Sequence, residues 1–184
     1  MAGAKLAKTQ NNGYTGKVQT YHVAASHSGL LAIGDFVLLT GTAHTDGTAQ
    51  VDDCAAGELI TGVIVGFKPN LASLETKGLA GSVAGFVYVN TDPYALWEIE
   101  IGTTALAVTS VGLNADITAT IATTSGNLVF SNMVLDGASS PSTASQQLRI
   151  VGLIPGEVGT TLGAVGQKAL VRFNESTEKG TVGV

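Results

Sequence analysis

Glu98 and Glu100 stand two residues apart within FVYVNTDPYALWEIEI, residues 86–101, close to Asp92, Tyr94 and Trp97. Two carboxylates can act as general acid and base on a glycosidic bond, but such pairs usually face each other across a cleft from separate elements. Alternation along one strand instead puts Glu98 and Glu100 on the same side. They read as a solvated or partner-facing edge. Tyr94, Trp97, Glu98 and Glu100 are also the only candidates for a carbohydrate-binding patch.

Other chemistry-capable residues are sparse. His22 and His27 lie close in sequence, with Ser26 and Ser28 beside the second, but no third ligand follows at metal-site spacing. Asp52, Asp53 and Glu58 could approach a cation, yet their spacing lacks the order of an EF-hand loop, so residues 44–58 read as a solvated polar loop. Cys54 is the single cysteine, which excludes an intramolecular disulfide, and its acidic neighbours disfavour a thiolate. The glycine-rich segments GEVGTTLG and GLAGSVAG lack the Lys-Ser/Thr of a phosphate loop and read as turns. With no GxSxG, HExxH or CxxC motif, the expectation is a protein that is not an enzyme, with no catalytic, cofactor-binding or metal-ligating residues.

Composition points the same way. The 184 residues are 45% apolar and only 12% charged, against about 25% charged in an ordinary soluble domain. A charge-poor surface is what a protein covered by copies of itself or by a larger assembly presents, since interface cores are depleted of charge. A net charge of -5 argues against a main role in neutralising nucleic-acid phosphate. The early basic residues Lys5, Lys8 and Lys17 precede the first acid, Asp35, and are candidates for contact with an acidic partner surface. No apolar run reaches membrane-spanning length, and the first residues lack the apolar core of a signal peptide.

The elements that must position these residues are strands. Residues 1–16 carry little bulk and read as a flexible basic arm, residues 17–175 as a single β domain, and residues 176–184 as a polar tail. Within the domain, KVQTYHV, GDFVLLTG, ELITGVIVGF, FVYVN, WEIEI, NLVFSNMVLD, LRIVGLIP and QKALVRF have strand character. ELITGVIVGF is apolar on both faces, as expected of a strand covered on both sides. Residues 71–81 could supply one or two helical turns at most. Residues 103–125 are Thr- and Ala-rich light β structure, and residues 138–147 form a loop around Pro141. The repeated VGL at residues 111–113 and 151–153 suggests two similar halves. The expected fold is all-β, a compact barrel or jelly-roll-like sandwich with an extended N-terminal arm and little helix. Within it, FVYVN and WEIEI form the central strand pair of the barrel, Pro93 sets the bend, and Trp97 and Ile99 face the core.

Residues 35–154 resemble the small decoration, or cement, proteins of tailed-bacteriophage capsids. The likeness is carried by the order of segments and by a central motif of the form DPxxL(F/W)E(V/I), here Asp92, Pro93, Leu96, Trp97, Glu98 and Ile99. The resemblance implies that this motif is architectural, and that the protein binds the outside of an assembled shell, often as a homotrimer, and strengthens it against internal DNA pressure. It also implies the major capsid protein as partner and the capsid surface of the virion as location, after synthesis in the host cytoplasm. A head-fibre, tail or receptor-binding module, or a carbohydrate-binding β protein, are the competing expectations.

Overall fold

The computed structural model describes residues 3–8, 17–69, 77–102, 104–126, 128–139, 144–156 and 159–178. The protein is all-β, as its patterning indicates, and a 3-10 turn at Val108–Ser110 is the only helical element among the described residues. The strands of the first half are β1 (Lys5–Lys8), β2 (Val18–Val23), β3 (Phe36–Ala43), β4 (Ala49–Asp53), β5 (Gly62–Phe67), β6 (Gly85–Asn90) and β7 (Leu96–Glu100). Short strands follow, β8 (Asn114–Ala115), β9 (Ile117–Thr118), β10 (Thr123–Ser125), β11 (Leu128–Phe130) and β12 (Val134–Leu135), and then the long β13 (Leu148–Ile154) and β14 (Lys168–Phe173).

Five strands close into a barrel in the order β2-β4-β3-β5-β6. Closure comes where β2 meets β4 in parallel at His22 and Gln50, while the other barrel pairs run antiparallel. Tyr21, Val23, Leu31, Val37, Val51, Ile64, Val87 and Val89 fill the interior. Gly62 lets β5 approach β6, because a Cβ there would collide with the Asn90 carbonyl and the Val89 side chain.

A second sheet, in the order β1-β7-β14-β13-β8, lies against the barrel and is antiparallel throughout. Its inward residues, among them Trp97, Ile99, Leu148, Ile150, Val171 and Phe173, share one apolar cluster with Phe36, Cys54, Ile60 and Val63 from the barrel side. Successive side chains of a strand point to opposite faces. In β3 and β5 this sends Val37 and Ile64 into the barrel and Phe36 and Val63 into the shared cluster. The apolar character of both faces of β5 follows from its position between two cores. Each large side chain buried in this way contributes about 1.5–3 kcal/mol.

Several expectations are corrected. FVYVN and WEIEI do not pair: β6 belongs to the barrel and β7 to the second sheet, and residues 91–95 cross between them. The polar stretch 44–58 contains β4, which pairs with both β3 and β2, because Val51 alternates inward between polar neighbours. NLVFSNMVLD is split into β11 and β12 by residues 131–133. The two VGL segments are not equivalent, since residues 111–113 form a turn beside β13, donating from Gly112 N–H to the Ile150 carbonyl at 2.8 Å. Of the arm, Lys5–Lys8 forms the edge strand β1, with Ala4 buried and Leu6 packed on the shared cluster. Residues 9–16 lie outside the described residues, as do 71–76 of the expected helical turn and 140–143 of the loop around Pro141. At the start of the tail, Ser176 is buried and bridges Ile60, and the Thr177 hydroxyl lies 2.9 Å from that of Thr61.

Candidate interaction surface

The Asp92–Ile99 motif builds a turn and then a core strand. Asp92 Oδ1 accepts the backbone N–H of Tyr94 at 3.0 Å, and Asn90 Oδ1 accepts that of Asp92 at 2.9 Å. Such side-chain to backbone bonds are the usual reason for Asn and Asp at turns. Pro93 is buried at the bend, Leu96 is half-buried, and Trp97 and Ile99 are each 1% exposed. Trp97 faces inward onto Phe173, so it offers no platform to a sugar ring, while Tyr94 is 50% exposed on the preceding turn. Glu98 and Glu100 point out of the opposite face, away from Trp97. The four residues of the carbohydrate candidate therefore do not converge.

The outward face of the second sheet carries both acidic and basic side chains. Lys5 lies directly across from Glu98, and Lys168 across from Glu100. Lys168 Nζ reaches Glu98 Oε2 at 3.4 Å, a solvent-exposed pair of small energetic weight. Further along, Arg149 and Arg172 lie directly opposite each other on β13 and β14, and neither has an ion-pair partner among the described residues. Like charges in that register repel, and the Nε of Arg172 is buried without a hydrogen-bond acceptor. Among the described residues, this corner of the face gathers two arginines outside any ion pair.

Exposed apolar side chains adjoin it. Val151 on β13 is 40% exposed, and Val111 and Leu113 stand in the turn hydrogen-bonded to that strand. Val108 precedes the same turn, and Leu162 and Val165 occupy the segment tied to it by the Leu106 N–H to Gly163 carbonyl bond of 2.8 Å. Apolar surface gathered beside unpaired arginines has the composition of a docking surface.

No family model matches the protein, and no match was found among curated proteins or solved structures. The surface must therefore be read from its own residues.

Of the basic candidates, Lys5 is exposed on β1, and Lys8 pairs through its backbone with Leu96. Lys17 sits before β2, exposed, its carbonyl accepting the N–H of Thr91 at 2.9 Å. Lys5 and Lys8 thus belong to the second sheet and Lys17 to the barrel. The arginine pair is not evident in the sequence because Arg149 and Arg172 are 23 residues apart, and only the antiparallel register of β13 and β14 brings them together.

The histidines also sort differently. His22 packs on His44 with ring centroids 4.2 Å apart, and both edge onto Phe86. Burial, and next the neighbouring His44, lower the pKa of His22 below its ordinary value. His27 hydrogen-bonds through Nδ1 to the Ala24 carbonyl at 2.8 Å. Cys54 is fully buried, and burial foremost pushes its thiol well above the ordinary range. Its neighbour Gln147 donates to the Ala55 and Glu58 carbonyls at 2.8 and 2.7 Å and accepts the Ile117 N–H at 3.1 Å. Cys54 is a core residue held by a polar cross-tie. Among the described residues, no three His, Cys, Asp or Glu side chains form a metal-holding group.

Proposed function

We propose that the protein is a capsid decoration protein, binding the outer surface of an assembled phage shell and stabilising it, as its central motif and segment order suggest. The observation that supports this reading best is the corner of the second sheet where Arg149 and Arg172 face each other unpaired beside exposed Val151 and Leu113. That corner suits an acidic, partly apolar protein surface. The low overall charge agrees with a protein that spends its working life covered.

The mechanism is mass action. A subunit that binds intact shell but not dispersed capsomers shifts the equilibrium toward the shell. Self-association, as a trimer by the family resemblance, multiplies modest contacts through avidity. The major capsid protein is the proposed partner.

The test is co-sedimentation with capsids of the phage that encodes the protein. Saturable pelleting is expected, reduced about tenfold or more in affinity by Arg149→Glu with Arg172→Glu, since a fully desolvated charge contact contributes about 2 kcal/mol or more. Protein that stays in the supernatant and remains monomeric at high concentration overturns the proposal. So do micrographs that place labelled protein on the tail.

A further inference from the structure

A second site lies away from the sheet face, at the end of the barrel. Asp35, at the entry to β3, is 1% exposed. Its Oδ2 accepts the backbone N–H of Ala32 at 2.6 Å, whereas Oδ1 is buried with no hydrogen-bond partner. The carboxyl lines a cavity of about 40 Å³ shared with Asp53, Gly29, Leu30, Thr120 and Met133. The cavity has room for a solvated ion or a small number of waters.

The surroundings are electrostatically one-sided. Burial foremost, and to a smaller extent Asp53, raises the pKa of Asp35, and Asp52, the neighbouring residue on β4, is itself raised by burial and by its contact with Asp53. Against these acids, among the described residues, His27 acts on Asp52. From the other wall come Thr120, Ser131 and Met133, all neutral, and Met133 Sδ already accepts the Phe36 N–H at 3.2 Å. A buried carboxylate costs several kcal/mol unless a proton or a counter-charge neutralises it.

We propose that Asp35 and Asp53 form a binding site for a hard divalent cation of the calcium type, which ties the barrel to the segment running from Ala119 to Met133. Two carboxylates, with hydroxyl and backbone oxygens available from the lining residues, match a cation that takes oxygen ligands in flexible geometry and retains waters. The site lacks the soft donors a transition metal favours, because the Met133 sulfur is engaged. The acids that the sequence offers to a cation are only partly used. Asp53 contributes, whereas Glu58 turns away and accepts the Ala55 N–H at 2.7 Å.

A bound cation supplies a counter-charge to the buried Asp35 carboxylate. Binding also holds together the cavity walls, slowing backbone hydrogen exchange in residues 119–122 and 131–134.

The experiment is calorimetric titration of the protein, stripped with chelator, with calcium chloride near neutral pH. Thermal melts and hydrogen exchange accompany it. One saturable site is expected, with a raised Tm. Asp53→Asn is expected to weaken binding about tenfold or more while leaving circular dichroism unchanged. Asp35→Asn is expected to do the same, and if it does not fold, the half-buried Asp53 decides the matter. Identical melts in chelator and in millimolar calcium overturn the proposal, as does full-affinity binding by Asp53→Asn. This inference stands apart from capsid binding, since the titration needs no partner.

Discussion

The indole of Trp97 and the ring of Phe173 lie nearly parallel, centroids 6.2 Å apart and planes 18° apart, one from β7 and the other from β14. Phe36 meets Phe173 edge-on at 6.3 Å from the barrel side. Stacked and edge-to-face geometries both satisfy the ring quadrupole. This aromatic trio is the seam between barrel and second sheet.

Trp97→Ala is therefore expected to cost about 3–5 kcal/mol, read from the urea midpoint. Trp97→Phe keeps a ring against Phe173 and removes the buried indole N–H, which has no partner, so its cost should stay under about 2 kcal/mol. Ready iodide quenching of native Trp97 fluorescence would contradict its placement.

Deleting residues 1–8 takes β1 off β7 and withdraws Ala4 and Leu6 from the shared cluster. The arm's lack of bulk suggests that trimming leaves stability untouched. The observed pairing predicts a loss of about 2–4 kcal/mol and, because the β7 edge is uncovered, concentration-dependent association by light scattering. An unchanged melt in a monomeric truncation would refute this.

Asp35 makes stability pH-dependent in the absence of a bound cation. Burial raises its folded pKa from 3.8 to about 6, partly opposed by the Ser131 hydroxyl and the Ala32 N–H. The folded protein thus holds this proton more tightly than the unfolded one. Its contribution, about 3 kcal/mol, is complete below pH 3.8 and lost as pH rises through about 6. In chelator, urea midpoints of wild type minus Asp35→Asn should fall over that window, and a flat difference would count against the assignment.

Cys54 should resist thiol reagents in the native protein and react on unfolding, because its buried thiol is held in the protonated form. Rapid labelling without denaturant would show the assignment to be wrong.

Gln147→Leu strips the Ala55 and Glu58 carbonyls and the Ile117 N–H of their shared partner. It is expected to destabilise by about 2–4 kcal/mol and to speed Cys54 labelling. A neutral melt would mean that the cross-tie contributes little.

Strand character is legible wherever alternation or β-branched runs are long: β2, β3, β5, β13 and β14 fall within segments the pattern marks. β4 is not legible, because AQVDD offers a single inward apolar residue among polar ones. The Asp92 turn and the inward course of Trp97 and Ile99 are legible from local chemistry. The partners of that strand are not, because β1, β7 and β14 are distant in sequence and their pairing depends on which edges remain open once the barrel has closed. His22 with His44, Asp35 with Asp53 and Arg149 with Arg172 are invisible in one dimension for the same reason.

By itself, the sequence determined the all-β class, the burial of Trp97 and the absence of familiar catalytic motifs, because these depend on residue type and short-range periodicity. Only the tertiary structure decided that residues 86–101 bridge two bodies rather than fold back as one pair. It also decided that one face gathers unpaired arginines and one barrel end gathers acids. Register and barrel closure set those juxtapositions, and they arise from how the strands share two cores.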